Sequence, residues 1–159
     1  MTIIDGDNLL WALHETVEER EVTTELELCR VLNRYFALVG EPGLVVFDGA
    51  GPADRSEFDK IVNPEIVFAG FQHDADSVIE EKIKVNTSPR RLTVVSSDRR
   101  LRRAAAVQKA AALKSEEFWQ QVRKELTRNK PRRREPEEKR QGLTEGETDK
   151  WLEVFGIDQ

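Results

Sequence analysis

The chain has 159 residues, of which 38% are hydrophobic and 35% are charged, and it carries one cysteine. This length suits a single domain with at most a short appendage. One cysteine excludes an internal disulfide, and no stretch approaches the ~20 apolar residues that span a membrane. Because the chain enters an apolar run almost at once, we expect no signal peptide and a cytoplasmic protein without a membrane partner.

The net charge of −5 conceals an uneven distribution along the chain. Residues 1–98 hold 9 Lys and Arg against 19 Asp and Glu, whereas residues 99–140 hold 15 against 6. Carboxylates can hold a metal ion, and arginines can bind the polyanion that the carboxylates alone would repel. The asymmetry is therefore what a nuclease requires, although a solvated surface with a charged linker would produce it as well.

Apolar runs alternate with amphipathic segments along the chain. Four runs predict buried strands, at residues 2–5, 44–47, 66–69 and 92–95. Helical periodicity predicts helices at residues 8–20, 24–39, 74–85, 101–107 and from 115 onward. Cys29 lies in the apolar pattern of the second helix, which indicates a buried structural thiol. Strands that alternate with helices predict an α/β fold with a mainly parallel central sheet covered on both faces.

The C-terminal part of the chain has a different composition. Residues 128–142 are highly charged, contain Pro131 and Pro136 and lack apolar periodicity, which predicts a basic linker or a disordered arm. Residues 143–159 contain the pattern of a short amphipathic helix, which we expect to dock onto the domain or onto a partner. The main domain is thus expected at residues 1–127.

Acidic residues follow the predicted strands. Asp5, Asp48 and Asp98 stand at or just after the ends of the strands at 2–5, 44–47 and 92–95, and Asp74 and Asp76 open the helix after the strand at 66–69. Ligands of an open parallel sheet bind beyond the carboxyl ends of its strands. Each aspartate alone could be a turn residue or a helix cap. Together they would repel one another, and Mg²⁺ or Mn²⁺, which prefer oxygen ligands, would relieve that repulsion.

Four motifs occur in a fixed order: Ile-Asp-Gly-Asp-Asn at 4–8, Val-Phe-Asp-Gly at 46–49, Asp-Ala-Asp-Ser-Val-Ile-Glu at 74–80 and Val-Ser-Ser-Asp at 95–98. This order resembles the YacP-like branch of the NYN domain family, within the PIN-like nuclease superfamily, over about residues 2–120. The resemblance implies a PIN-like three-layer α/β/α sandwich. It also implies divalent-metal-dependent cleavage of RNA and, in some members, association with ribosomes.

Carried over by motif, the resemblance implies that Asp5, Asp76 and Asp98 are the core metal carboxylates, with Asp48 as a further ligand. Asn8 would stand beside Asp5 and orient a carboxylate or a phosphate, which makes Asp5, Asn8, Asp76 and Asp98 the catalytic set. The groups expected around this set are Asp7, Asp74 and Glu80. The family usually has tyrosine where Asp7 stands, so an aromatic surface that could stack on a base is missing there.

Arginines follow the last acidic motif directly. Their guanidinium groups match phosphate oxygens, and a helix that starts there also points its N-terminus toward the site. The predicted RNA-binding residues are Arg99, Arg100, Arg102, Arg103, Arg132, Arg133 and Arg134, although the last three fit a plain linker equally well. Few aromatic residues interleave these charges, so base stacking is not predicted. Binding to phosphates would be salt-sensitive and largely indifferent to sequence.

These patterns predict an endoribonuclease that hydrolyses RNA phosphodiester bonds with a carboxylate-held Mg²⁺ or Mn²⁺ and an activated water. The expected partner is RNA, including ribosome-associated RNA. One alternative is a non-catalytic RNA- or ribosome-binding NYN module. A second is a haloacid-dehalogenase-like phosphatase that would use Asp5 and Asp7 as nucleophile and acid. Against it, the second predicted strand ends in Phe-Asp-Gly rather than in serine or threonine.

Overall fold

The computed structural model describes residues 1–16 and 22–129. The strands are β1 (Thr2–Asp5), β2 (Gly43–Phe47), β3 (Glu65–Phe68), β4 (Thr93–Val95) and β5 (Ala111–Leu113). The helices are α1 (Gly6–Glu15), α2 (Glu25–Val39), α3 (Ser56–Asp59), α4 (Ala75–Val85), α5 (Arg99–Val107) and α6 (Ser115–Arg128), with a 3-10 turn at Pro89–Arg91. Within these ranges, no helix has both the length and the hydrophobicity that crossing a membrane requires.

The five strands form one sheet in the order β3-β2-β1-β4-β5, and every neighbouring pair is parallel. All strands therefore end on the same side of the molecule, which we call the carboxyl end of the sheet. The chain starts at the central strand β1, moves outward through β2 and β3, and returns to β4 on the other side. This reversal of strand order lies between β1 and β4, and such a switch point is where open α/β sheets bind ligands.

Helices cover both faces of the sheet, because successive side chains of each strand point to opposite sides. Ile4 of β1 packs with the buried residues of α1, α2 and α6. Its neighbour Ile3 packs instead with Ile79 of α4 and Leu101 of α5. The predicted three-layer α/β/α sandwich with a parallel central sheet is thus confirmed.

Local signals place the second helix as predicted. The Thr24 hydroxyl accepts a hydrogen bond from the Glu27 N–H, and the Glu27 carboxylate accepts one from the Thr24 N–H. This reciprocal cap satisfies two backbone donors that a helix start leaves without partners. Gly40 ends the helix with φ 68°, a conformation that costs glycine little. Cys29 is buried, as its place in the apolar pattern predicts.

Three elements were not predicted, namely α3, the 3-10 turn at Pro89–Arg91 and the edge strand β5. The β5 sequence, Ala-Ala-Leu, is too short and too small to show a strand pattern. Helix α1 begins at Gly6 rather than Asn8, because Asp5 itself caps it, and it ends at Glu15. The predicted continuation at 17–20 lies outside the described residues. So do the predicted linker and C-terminal helix, apart from Arg128 and Asn129.

Gly6 allows α1 to start directly above β2. A methyl group at this position would overlap the ring of Phe47, which is fully buried. We expect Gly6→Ala to lower the free energy of unfolding by about 1–2 kcal/mol, because the overpacking cost exceeds the helix-propensity gain. Urea denaturation measures this change. The double variant Gly6→Ala, Phe47→Leu should recover part of the loss, and an unchanged single variant would contradict the tight contact.

Candidate active site

Asp5 ends β1 and caps α1, and its side chain is only 6% exposed. Its Oδ1 accepts a hydrogen bond from the Asn8 N–H at 3.3 Å, and its Oδ2 accepts one from the Ser96 hydroxyl at 3.1 Å. Burial raises the pKa of Asp5 to about 6, although both hydrogen bonds oppose this rise. The charges of Asp76 and Asp7 add to it. A buried carboxylate with acidic neighbours favours a cation beside it.

Asp76 and Asp98 come from two other connections at the carboxyl end of the sheet. Asp76 lies in the first turn of α4, and Asp98 caps α5 by accepting a hydrogen bond from the Arg100 N–H at 2.7 Å. Partial burial raises the pKa of Asp76, and the charge of Asp98 raises it further. The charge of Asp98 raises the pKa of Asp76, and the charge of Asp76 raises the pKa of Asp5. We therefore treat these three carboxylates as one group, which we call the carboxylate cluster.

Ser96 joins two members of the cluster, and sequence reasoning missed it. Its fully buried hydroxyl donates to Asp5 Oδ2 and accepts from the Asp98 N–H, both at 3.1 Å. It therefore fixes the end of β1 relative to the start of α5. A serine directly after a strand and two residues before an aspartate was the available signal, but its long-range partner could not be read locally.

We expect Ser96→Ala to lower the free energy of unfolding by about 1–3 kcal/mol, because it leaves a buried carboxylate oxygen and a backbone N–H without their partner. Asp5 and Asp98 would also lose their common support. Thermal unfolding measures the loss of stability. Ser88→Ala, at an exposed position, is the matched control. Equal stability of both variants would refute the supporting role of Ser96.

Asp48 and Asp7 connect three elements beside the cluster. The Asp48 N–H donates to Asp7 Oδ2 at 2.6 Å, and Asp48 Oδ1 accepts from the Ala75 N–H at 2.7 Å. Burial raises the pKa of Asp7, and the charge of Asp48 contributes to the rise. Asp7 thus holds the loop after β2, and Asp48 in turn holds the start of α4. One Asp48 oxygen remains without a hydrogen bond from the described residues.

Asn8 binds two other parts of the site to α1. Its Oδ1 accepts hydrogen bonds from the Ser97 N–H at 3.0 Å and from the Ser115 hydroxyl at 2.6 Å. Helix α6 begins at Ser115, as predicted, and the residue at its cap position is Lys114. Ser115 is instead fully buried and directed to Asn8. Through these two hydrogen bonds, Asn8 holds the β4–α5 loop and the start of α6 close to Asp5.

Arg100 links α5 to α4. Its Nε and Nη2 donate to the two Glu80 carboxylate oxygens at 2.6 and 3.0 Å, and its Nη1 lies 3.7 Å from Asp74 Oδ2. Asp74 caps α4 by accepting a hydrogen bond from the Ser77 N–H at 2.7 Å. Arg100, predicted to bind RNA, is thus engaged with two acids beside Asp76, whose charge it partly offsets.

The other described arginines of this region also belong to α5. Arg99, Arg102 and Arg103 line a shallow concavity together with Ala106 and Ala112. Nε of Arg102 is buried and has no hydrogen-bond partner among the described residues. Arg99 and Arg103 are exposed and can meet an anion. The predicted contacts at Arg132, Arg133 and Arg134 lie outside the described residues.

The chemistry of the donors fits a hard divalent ion. The cluster offers only carboxylate oxygens, and Asp76 accepts no hydrogen bond from the described residues, so its oxygens are available to a ligand. Mg²⁺ and Mn²⁺ prefer such donors and retain water. In residues 1–16 and 22–129, however, no group of three or more His, Cys, Asp and Glu is arranged to hold a metal ion. The structure thus brings the carboxylates into one neighbourhood without assembling a complete coordination shell.

The fold resembles solved structures of one bacterial protein. The crystal structure of Rae1 (YacP) from Bacillus subtilis aligns with a TM-score of 0.67 and 19% identity, covering 98% of this chain and 92% of that chain. A mutant of the same protein aligns with a TM-score of 0.61 and 22% identity, covering 80% and 77%. These likenesses establish the shared fold. A comparison with curated proteins found no match.

The sequence itself matches a family profile over nearly its whole length. The YacP-like NYN domain matches residues 2–155, which include all the aspartates of the site. NYN domains of this type are nuclease-type domains, which supports an RNA-related, nuclease-like function. By this match, the chain belongs to the YacP-like NYN domain family.

Proposed function

We propose that the chain is a divalent-metal-dependent endoribonuclease. The observation that carries this proposal is the carboxylate cluster of Asp5, Asp76 and Asp98 at the carboxyl end of an NYN fold. Mg²⁺ or Mn²⁺ would be held by these three groups, with Asp48 as a further ligand. The bound ion would activate water and stabilise the charge that develops on the phosphodiester.

The residues around the cluster would position the reacting groups. Ser96 and Asn8 keep Asp5 in place, and Arg100 with Glu80 holds α4 and α5 together near Asp76. Arg99 and Arg103 are exposed and would bind phosphates on the α5 side. Because this binding is electrostatic, we expect the affinity for RNA to fall as salt rises.

The site is accessible in a way that suits internal cleavage. Asp48 and Asp74 at its rim are exposed, and Asp76 and Asp98 are partly exposed although Asp5 is buried, so the cluster opens to the surface on that side. An RNA strand can cross such a surface without threading a free end into it. This openness supports an endonuclease over an enzyme that consumes RNA from its ends.

Ribosome-associated RNA is the second part of the proposal. Its support is the family resemblance together with the basic run at 130–134, which lies outside the described residues. Cosedimentation of the full chain with ribosomes through a sucrose gradient tests it. Binding that persists at moderate salt would support the proposal, and free protein at every salt concentration would refute it.

Cleavage of RNA tests the main proposal. Purified protein should convert an internally labelled RNA, blocked at both ends, to shorter fragments in Mg²⁺ or Mn²⁺. EDTA should stop the reaction, and added metal should restore it. Cleavage that is indifferent to EDTA would refute the metal-dependent mechanism.

A non-catalytic RNA-binding module is the second candidate. The observation that favours it is the lack, among residues 1–16 and 22–129, of a complete metal-binding group. Calorimetric titration with Mn²⁺ separates the two candidates, because only the nuclease requires a bound divalent ion. The phosphatase alternative has lost its support, since Asp7 accepts a hydrogen bond from the Asp48 backbone and the family is of nuclease type.

A further inference from the structure

Phe71 is an exposed aromatic residue close to the site, and no role has been assigned to it so far. It lies in the loop between β3 and α4, residues 69–74, and 93% of its side chain is exposed. Its neighbours Gln72 and His73 are exposed as well. An exposed phenyl ring presents a flat apolar face that can bind a partner.

Both ends of this loop are fixed to the segment that follows β2. Gly70 forms an antiparallel bridge with Gly49, and its N–H donates to the Gly49 carbonyl at 2.8 Å. At the other end, the Ala75 N–H donates to the Asp48 carboxylate at 2.7 Å. Phe71 therefore projects from a short, anchored loop at the rim of the site. A preorganised ring loses little conformational freedom when it binds.

The sheet order places Phe71 and the arginines on opposite sides of the carboxylate cluster. The β3–α4 loop follows the edge strand β3, and α5 follows β4, which lies on the other side of the central strand β1. Three strand spacings, about 14 Å, separate β3 from β4. Asp5, at the end of the central strand β1, lies between them. A strand of RNA held by Arg99 and Arg103 would thus reach Phe71 after it crosses the carboxylates.

We propose that Phe71 stacks on an unpaired base of this RNA, so that the site takes RNA that is single-stranded there. This inference rests on the proposed function, because it assumes that RNA crosses the cluster. Base stacking on an aromatic side chain tolerates any sequence, since every base has a π face. It excludes paired bases, whose faces are covered by their neighbours in the helix.

Binding of short RNAs tests the proposal. Full-length protein carrying Asp76→Asn, which we expect not to cleave, is titrated with a fluorescent single-stranded RNA and with the matching duplex. Phe71→Ala in that background should raise the Kd for the single strand about 5- to 100-fold. It should leave the Kd for the duplex nearly unchanged, and Phe71→Trp should restore the affinity for the single strand.

Val62→Ala is the matched control. Val62 is 91% exposed and precedes β3, at the opposite end of the strand that Phe71 follows. The control should bind both RNAs like the parent protein. An equal loss of affinity in the Val62 and Phe71 variants would refute a specific role for the phenyl ring.

Abasic substitution identifies the stacked base. Each nucleotide of the RNA is replaced in turn by an abasic one, and the Kd is measured for the parent and for Phe71→Ala. One position should weaken binding to the parent but not to the variant. The same profile for both proteins would overturn the stacking, and would leave a protein partner as the reason for the exposure of Phe71.

Failure of the stacking can be distinguished from failure of the nuclease. If Phe71→Ala in the otherwise unaltered chain binds and cleaves like the parent chain, the stacking is wrong and the nuclease stands. If the parent chain shows the expected binding pattern but never cleaves, the stacking stands and the catalytic proposal fails.

Discussion

Asp76→Asn is expected to reduce metal-dependent RNA cleavage about a thousandfold or more. Burial raises the pKa of Asp76, the charges of Asp98, Asp74 and Asp48 raise it further, and the charge of Arg100 opposes this rise, so Asp76 lies among the other charged groups of the site. Removal of its charge would weaken the hold on the metal ion and forfeit several kcal/mol of transition-state stabilisation. The measurement is the rate of cleavage at saturating RNA, as a function of Mn²⁺ concentration.

Asp59→Asn is the control for this experiment. Asp59 is the last residue of α3, is exposed and lies outside the cluster. Its replacement by asparagine should therefore leave the rate of cleavage unchanged. Circular dichroism should show both variants folded, because loss of the Asp76 charge relieves repulsion within the site. Should Asp76→Asn cleave as fast as Asp59→Asn, the cluster is not where the reaction takes place.

Asp5→Asn is expected to abolish cleavage while it stabilises the metal-free protein. Burial raises the pKa of Asp5 from 3.8 to about 6, so its ionisation opposes folding by about 3 kcal/mol at neutral pH. The amide avoids that cost but loses about 1 kcal/mol of hydrogen bonding to Ser96 and Asn8. In EDTA at pH 7.5 we therefore expect a net gain of about 2 kcal/mol in the free energy of unfolding, measured with urea.

The pH dependence has a definite sign. Between pH 4 and about 6, the folded protein binds a proton at Asp5 that the unfolded chain has released, because folding raises the pKa of Asp5. The contribution of Asp5 to stability is thus lost as pH rises through this window. Asp5→Asn should be most stable relative to the parent above pH 6, and this advantage should be lost as the pH falls to 4. Asp54→Asn is the opposite control, since hydrogen bonds from Ser56 lower the pKa of Asp54.

Added Mn²⁺ should reverse this order of stability. An ion that binds only the folded parent protein stabilises it by about 2.7 kcal/mol at a hundred times its Kd. Asp5→Asn, with a weakened site, should gain much less and become the less stable protein. A constant difference between the two at every Mn²⁺ concentration would mean that Asp5 does not contribute to a metal site.

The amino-acid sequence by itself determined the strands of the central sheet, apart from β5, and the aspartates at their ends. These features depend on short-range chemistry. A buried parallel strand is a continuous apolar run, and a helix start is marked by a side chain such as Thr24 that caps its own backbone. Because every parallel strand ends on the same side, the strand positions already indicated that Asp5, Asp48 and Asp98 would approach one another.

The tertiary structure alone decided how the site is supported and where it could meet a base. Ser96 is 91 residues from Asp5, and Ser115 is 107 residues from Asn8, so no local pattern could reveal these hydrogen bonds. The sequence likewise gave no reason to connect Phe71 with the arginines that begin α5. The strand order brings them to opposite sides of one site, because β3 and β4 flank the two strands between them. Packing across the sheet thus determines which residues meet at its carboxyl end. Whether each segment forms a helix or a strand is determined by the residues of that segment.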